Sequence, residues 1–204
     1  MTTVGTYNTL DGKGTVGDFA DVLLLTEAIP AKVRAQVGKT HDVFVCERQP
    51  DLVIAVRRGL LTSVASTNYK KAHWGIPKVT PNRGTFWITG RMGDVKVALL
   101  VEHRINAAFA PFKRGEGLFR KTMWEMHTRM TLRIVRRLKK QGHTVYGGGD
   151  TNTPRGVSAY RGVLVEAGKG LDRLGSTRRL KGVQVLPRNG SDHHPLKATT
   201  GDRT

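Results

Sequence analysis

Short, strongly apolar runs of strand length recur along this chain, and they limit what it can fold into more than any other feature. "TTVGTYN", "DVLLLT", "HDVFVCE", "DLVIAVRR", "GTFWITG", "DVKVALLVEH", "HTVYGGG" and "GVQVLP" are rich in β-branched residues and separated by turn formers. Several of them are apolar at successive positions, so both faces of the strand they form carry hydrocarbon. Such a strand has to be covered above and below. The expected architecture is α/β in content (α+β), with sheets stacked on one another and helices outside.

Two hairpins are predicted. "CERQPDLVIAV" turns at Gln49, Pro50 and Asp51, and "FWITGRMGDVKVALL" turns through Gly90 and Gly93. Three stretches read as helices. "PAKVRAQVG" has Pro30 at its start and Gly38 at its end. A long one covers 118–140, where Met123, Met126, Met130, Ile134 and Leu138 recur at helical spacing as a buried stripe. The third is "SAYRGVLVEAG", ending at Gly168. Residues 66–84, "STNYKKAHWGIPKVTPNRG", read as a loop able to form a substrate-facing arm.

Charge narrows the partners. The 204 residues hold 34 Lys+Arg against 16 Asp+Glu, a formal +18. A surplus of that size attracts polyanions and releases their counterions on binding, so nucleic acid leads and an anionic membrane surface follows. The cations are clustered. "TRMTLRIVRRLKKQ" carries Arg136, Arg137, Lys139 and Lys140 beside Arg129 and Arg133, and "RLGSTRRLKGVQVLPR" carries Arg178, Arg179 and Lys181. No apolar run approaches bilayer-spanning length. The opening "MTTVGTYNTL" has no basic region followed by an apolar stretch, which predicts an intracellular chain. Cys46 is the single cysteine, which excludes an internal disulfide and a cysteine-built zinc site. It reads as a small buried hydrophobe.

The polar residues that close or follow strands carry the chemistry. They are Asn8 after the first strand, Glu27 after "DVLLL", His103 after "DVKVALLVE", Asp150 and Asn152 in "YGGGDTNTP", Asp172 in "GLDRL", and Asp192 and His193 in "GSDHHP". Each has a plainer reading as turn, cap or strand-end residue. Together, at strand ends, they converge on one sheet edge. Glu, Asp and Asn oxygens suit a hard cation such as Mg²⁺, and histidines beside it can donate to phosphate oxygens or move protons. Two other motifs carry less. "GKGTVG" matches a dinucleotide fingerprint but is followed by a strand rather than a helix, so it reads as a loop. The triplet "DHH" lacks the further aspartate clusters a phosphoesterase of that name needs.

In that order the residues resemble the endonuclease/exonuclease/phosphatase superfamily, the metal-dependent phosphoesterases that include pancreatic-type deoxyribonuclease. The resemblance runs from "TYNTL" to "SDHHPL" and rests on Asn8, Glu27 in "DVLLLTE", His103 in "LLVEHRIN", "GDTN" with Asp150 and Asn152, Asp172, and Ser191, Asp192, His193 and Pro195. It implies a deoxyribonuclease I-like four-layer sandwich, two mostly antiparallel sheets flanked by helices. One catalytic domain would span 1–200, with 201–204 as a short tail. It also implies roles: Glu27, with Asn8 and Asp192, for Mg²⁺ or Mn²⁺; Asp150 for the attacking water; Asn152 for phosphate or water; His193 oriented by Asp172; and His103 on the phosphate or leaving oxygen. Thr151 stands where the pattern has an aromatic, and Leu10 where apurinic-endonuclease-like members place an Asp. Deoxyribonuclease-like members pair the earlier histidine with a preceding glutamate. No Asp or Glu lies between Asp51 and Asp94, so His103 is expected to lack that partner. The preferred reading is an Mg²⁺-dependent nuclease acting on DNA or RNA, with both basic clusters holding phosphates. The alternatives are a phosphoinositide phosphoesterase and a non-catalytic nucleic-acid-binding protein on the same fold.

Overall fold

The computed structural model describes residues 1–73, 82–106, 108, 116–154, 156–168 and 171–200. In chain order the elements are β1 (Thr3–Asn8), β2 (Val22–Thr26), α1 (Pro30–Val37), β3 (His41–Val45), β4 (Val53–Arg57), β5 (Thr62–His73), β6 (Arg83–Met92) and β7 (Val95–Glu102). Then follow α2 (Glu116–Lys140), β8 (Thr144–Asp150), β9 (Val165–Ala167), β10 (Asp172–Ser176), β11 (Leu180–Val185) and β12 (Leu196–Thr200).

Two six-stranded sheets result, one ordered β11-β12-β1-β2-β4-β3 and the other β5-β6-β7-β8-β10-β9. Pairing is antiparallel except for β1 with β2 and β7 with β8. The doubly apolar strands explain the stacking. In β2 all five residues are buried. Val22 and Leu24 enter the core between the sheets, while Leu23 and Leu25 enter the layer beneath α1. Across the core, Leu99 and Val101 of β7 meet them, whereas Ala98 and Leu100 face α2. The order is thus helix, sheet, sheet, helix, the four-layer sandwich expected from the sequence. Truncating a central side chain such as Leu24 or Leu99 to Ala costs about 2–5 kcal/mol, since neither cavity can collapse onto solvent.

Both parallel pairs send their C-terminal ends the same way. Asn8 stands opposite Thr26, Val101 opposite Gly148, and antiparallel β10 brings Asp172 opposite Asp150. With β1 packed over β8 and β10, the ends of both sheets form one edge.

Three local expectations fail for identifiable reasons. The helix over 158–168 is absent. Ala159, Tyr160 and Leu164 are buried at a spacing that imitates a helical face. Arg161 and Gly162, however, take positive φ (46° and 73°), and the chain continues as β9. The Glu166 carboxylate closes this turn, accepting from the Ala159 and Tyr160 amides and the Ser158 hydroxyl. The loop over 66–84 is largely sheet: Ser66 through Lys71 pair with Thr89 through Gly84. As an edge strand with one face in water, β5 needs little hydrocarbon, and its polar sequence conceals it. Residues 74–81 of that stretch lie outside the described residues, as does the 201–204 tail. The third failure concerns the helix stripe. Ile134 and Leu138 are buried, but Met126 is 45% exposed. The inward face of the first half is Trp124, His127, Thr128 and Thr131, polar because it covers buried charge.

The β3–β4 hairpin turns where expected, and that between β6 and β7 turns at Gly93 (φ 56°), with Gly90 still in the strand. The "GKGTVG" stretch is loop, and Cys46 is buried and free. Among the described residues no helix is long and apolar enough to cross a membrane.

Candidate active site

The common edge collects every strand-end residue singled out from the sequence. Asn8 and Asp150 close β1 and β8, Glu27 and His103 follow β2 and β7 directly, Asp172 opens β10, and His193 lies just before β12. Two of the group pay a conformational cost for their positions: Glu27 and Asn152 hold φ of 50° and 48°, in the left-handed region where a side chain is disfavoured. Such strain persists only where surrounding structure enforces it, and it concentrates at working sites.

Asp150 is the hub. Its Oδ2 accepts from Asn8 Nδ2 at 3.0 Å and its Oδ1 from the Asn152 amide at 3.0 Å. His193 Nε2 lies 3.9 Å from the same Oδ2, while its Nδ1 is 2.7 Å from Asp172 Oδ2. Ser191 ties this loop down, its hydroxyl donating to the Asn8 carbonyl at 2.8 Å and accepting from the His193 amide at 3.1 Å. Burial works against a charged His193. The hydrogen bond and charge of Asp172, helped by Asp150 and Asp192, outweigh it and raise the imidazole to about 9. Asp172 is raised too, to about 6: burial is the main cause and Asp150 adds to it, while His193 only partly opposes them. At neutral pH the imidazolium is therefore the firmly charged member of the pair.

His103 occupies the floor. Its Nε2 is 3.4 Å from Glu27 Oε1 and 3.6 Å from Asp150 Oδ2, and its Nδ1 is 3.7 Å from Asp51 Oδ2. Both ring nitrogens are buried and neither has a hydrogen-bond partner. The expectation that His103 lacks an acidic partner is overturned: Asp51 supplies it from the β3–β4 turn. Burial would raise Asp51, but His103 and Arg83, whose Nη1 is 3.5 Å away, pull its carboxyl below the ordinary value. Asp51 reads in sequence as a turn residue, and nothing in "ERQPDL" marks it as facing an imidazole.

Behind this edge lies a buried ion pair that the sequence did not reveal. Arg104 donates Nε and Nη2 to the two Glu102 carboxylate oxygens at 3.0 and 2.8 Å, and both side chains are fully buried. Thr131 donates to Glu102, and Arg104 donates to Thr128 and to the Ala159 carbonyl. The Arg104 guanidinium also sits 5.1 Å from the Trp124 ring centroid. This layer grips the Asp150–Asn152 corner: the Arg104 amide donates to the Asp150 carbonyl at 2.9 Å, Asn152 Nδ2 to the Arg104 carbonyl at 3.0 Å, and Trp124 Nε1 to the Thr151 carbonyl at 2.8 Å. The one available signal was alternation, since Glu102 and Arg104 flank His103 in "VEHRIN".

The oxygen-rich edge fits a weakly caged divalent ion. Among the described residues no group of three or more His, Cys, Asp and Glu forms a ready-made cage. Mg²⁺ needs none, keeping most of its waters and taking one or two carboxylates. Glu27, partly exposed beside a buried imidazole without hydrogen-bond partners, is the strongest donor there. Asp192, 65% exposed and 3.7 Å from His193 Nε2, is a second. Asn8 differs from expectation. Its Oδ1 already accepts from the Leu10 amide at 3.0 Å and its Nδ2 holds Asp150, so it positions a carboxylate rather than offering a free ligand.

The seven basic residues expected to hold phosphates do not join this group. In helix α2 Trp124 sits against Thr151, and the helix runs on from there to end at Lys140, four residues before β8 begins. Arg136, Arg137, Lys139 and Lys140 therefore stand about 20 Å from Asp150 along the strand direction. Arg178, Arg179 and Lys181 follow the far end of β10, where Thr177 and Val145 exchange hydrogen bonds.

No protein-family model and no curated protein matches the sequence. Among solved structures the chain superposes on a humanized D. rerio TDP2 carrying 14 mutations, with TM-score 0.70 and 14% identity over 98% of this chain and 99% of that one. It also superposes on the mannosyl-6-phosphatase Bt3783 of Bacteroides thetaiotaomicron VPI-5482, with TM-score 0.76 and 12% identity over 99% and 100% of the two chains. A third is an endonuclease/exonuclease/phosphatase family protein from Bacteroides thetaiotaomicron, with TM-score 0.72 and 12% identity over 97% and 93%. The fold is the deoxyribonuclease I-like fold of these proteins.

Proposed function

We propose that this chain, which shares its fold with the endonuclease/exonuclease/phosphatase proteins, is a divalent-metal-dependent phosphodiester hydrolase acting on nucleic acid. The observation that carries the reading is the pair Asp150–His193. The two side chains face each other across 3.9 Å without a hydrogen bond, and each is braced from behind, Asp150 by Asn8 and Asn152, His193 by Asp172. That leaves a carboxylate and an imidazolium close enough to act on one phosphate and the water that attacks it.

Asp150 orients the attacking water and takes its proton as the oxygen–phosphorus bond forms; the bond from phosphorus to the leaving sugar oxygen breaks on the opposite side, and that oxygen departs as a hydroxyl with a proton from solvent. His193, protonated at neutral pH, donates to a non-bridging oxygen and stabilises the charge that grows there. His103, wedged between Glu27, Asp150 and Asp51, spaces these three carboxylates around the cleft floor. Glu27, with Asp192 nearby, would hold Mg²⁺ or Mn²⁺, which when bound neutralises phosphate charge. A D. rerio TDP2 has been solved in complex with a single-strand DNA product, and this chain superposes on it with TM-score 0.67 and 12% identity over 98% and 99% of the two chains. That complex and the +18 charge together favour a nucleic-acid substrate.

The test is incubation with plasmid, linear duplex, single-stranded DNA, RNA, phosphoinositide and a sugar phosphate, in Mg²⁺, Mn²⁺ or EDTA, beside Asp150→Ala and His193→Ala. Nucleic-acid cleavage lost in EDTA and in both variants supports the reading. Turnover of phosphoinositide or sugar phosphate alone replaces it with a phosphomonoesterase or lipid enzyme. Binding without cleavage of anything replaces it with a non-catalytic binder.

A further inference from the structure

The end of the molecule opposite the catalytic edge gathers cations from several separate elements. Arg136, Arg137, Lys139 and Lys140 end α2, Arg179 precedes β11, Lys181 is its second residue, and Lys96 is the second residue of β7. All are exposed. Thr200, Tyr146, Met92, Val95 and Arg178 line one cavity of about 110 Å³, which fixes the β6–β7 hairpin, the β10–β11 connection and the end of β12 as neighbours. Arg136, Lys140, Arg179 and Lys181 make no ion pair among the described residues. Of the carboxylates at this end, Asp18 and Asp21, just before β2, are held by Arg57, Asp42 lies 3.7 Å from Arg58, and Asp94 stands exposed in the β6–β7 turn. The opposite edge carries Glu27, Asp51, Asp150, Asp172 and Asp192, so the charge of the molecule is polarised.

We propose that this end is a second nucleic-acid surface, separate from the cleft, that takes the phosphate backbone of a duplex. Cations presented from a helix end, a hairpin and a strand, outnumbering the carboxylates of the described residues at that end, match a repeating polyanion rather than a single phosphate. A duplex is favoured over a single strand because single-strand platforms stack bases on aromatic rings. Here the rings nearest the surface, Trp87 and Tyr146, are buried. Two surfaces about 20 Å apart along β8 let one molecule hold two nucleic-acid segments, or grip a long one at a distance from the scissile bond. The inference concerns binding alone and stands whether or not the cleft cuts nucleic acid.

The test uses the full chain carrying Asp150→Asn, in EDTA, so that nothing is cleaved. A 40-base-pair duplex is titrated by anisotropy across salt concentrations, with and without Arg136→Gln, Lys140→Gln, Arg179→Gln and Lys181→Gln together. Each lost phosphate contact lowers the slope of log affinity against log salt by about 0.9, so the quadruple variant should lose roughly 2 to 4 units. It should also stop the protein bridging a bead-bound duplex to a labelled one, while hydrolysis of bis(p-nitrophenyl) phosphate by the chain with native Asp150 stays unchanged. A smaller variant, Arg179→Gln with Lys181→Gln, should lose roughly half that slope and guards against misfolding of the larger one. A slope and bridging unaffected by either variant overturn the proposal. So does capture by phosphatidylserine vesicles with no duplex binding, which assigns the surface to membrane instead.

Discussion

His193 Nδ1 lies 2.7 Å from Asp172 Oδ2, joining a loop of one sheet to the first residue of a strand in the other. The pair fixes both the direction of the imidazole and its charge, since Asp172 is the chief group raising it to about 9 against the pull of burial.

A folded-state pKa above the ordinary 6.5 stabilises the protein fully below pH 6.5 and loses that contribution as pH climbs through about 9. Activity that needs the imidazolium should fall over the same alkaline limb. Asp172→Asn removes the favourable partner and leaves burial, so the limb should move down by two units or more. NMR titration of the His193 ring checks it. A wild-type value near 6.5 would show that the pair does not hold the charge.

Asp51→Asn leaves His103 between Glu27 and Asp150 without its third carboxylate. Turnover should drop about 10²-fold, the range for a group that sets a proton-handling residue. Thermal unfolding should move little, because Asp51 is partly exposed at a turn. Kinetics and melting run side by side distinguish this from a general loss of structure, which would lower both together.

Removing one partner of the buried Glu102–Arg104 pair strands the other charge. Arg104→Met should cost about 3–5 kcal/mol in urea unfolding. Trp124→Phe, which deletes the donor to the Thr151 carbonyl and shrinks the buried ring beside Arg104, should cost about 3 kcal/mol and lower activity more than its stability loss explains. A cost under 1 kcal/mol for Arg104→Met would mean the pair is not the brace described.

The glycines before Asp150 differ from one another. Gly149 has φ of 137°, and a methyl there would run into the Glu102 carbonyl, whereas one on Gly147 would meet its nearest neighbour, the Tyr160 hydroxyl, at 3.4 Å. Gly149→Ala should therefore destabilise by more than about 3 kcal/mol and abolish activity, and Gly147→Ala by about 1 kcal/mol or less. Equal tolerance of the two would contradict the close approach of β8 to β7 beside Asp150.

What was legible in the sequence follows from what each element needs. The doubly apolar strands announced stacked sheets because burial on both faces leaves no polar positions, as in β2. The strand-end residues were legible because parallel neighbours must finish on one edge. Asp51 was not, since a turn aspartate looks the same whether it faces water or an imidazole. The cations of α2 and of 178–181 were correctly read as clusters, but their distance from the site depends on helix direction, which places Lys140 at the start of β8 and away from Asp150. β5 escaped notice as a polar edge strand, and 158–168 imitated a helix through three buried side chains.

If Asp150 and His193 act together on a phosphodiester, losing either must cost turnover. The direct measurement is the Mg²⁺-dependent turnover of bis(p-nitrophenyl) phosphate by the wild type, Asp150→Asn and His193→Ala, with unfolding curves confirming that all three are folded. Each variant should lose about 10² to 10⁴-fold in kcat, and the wild type should show no turnover in EDTA. Turnover by folded Asp150→Asn within about twofold of wild type, less than any catalytic acid or base contributes, would contradict it.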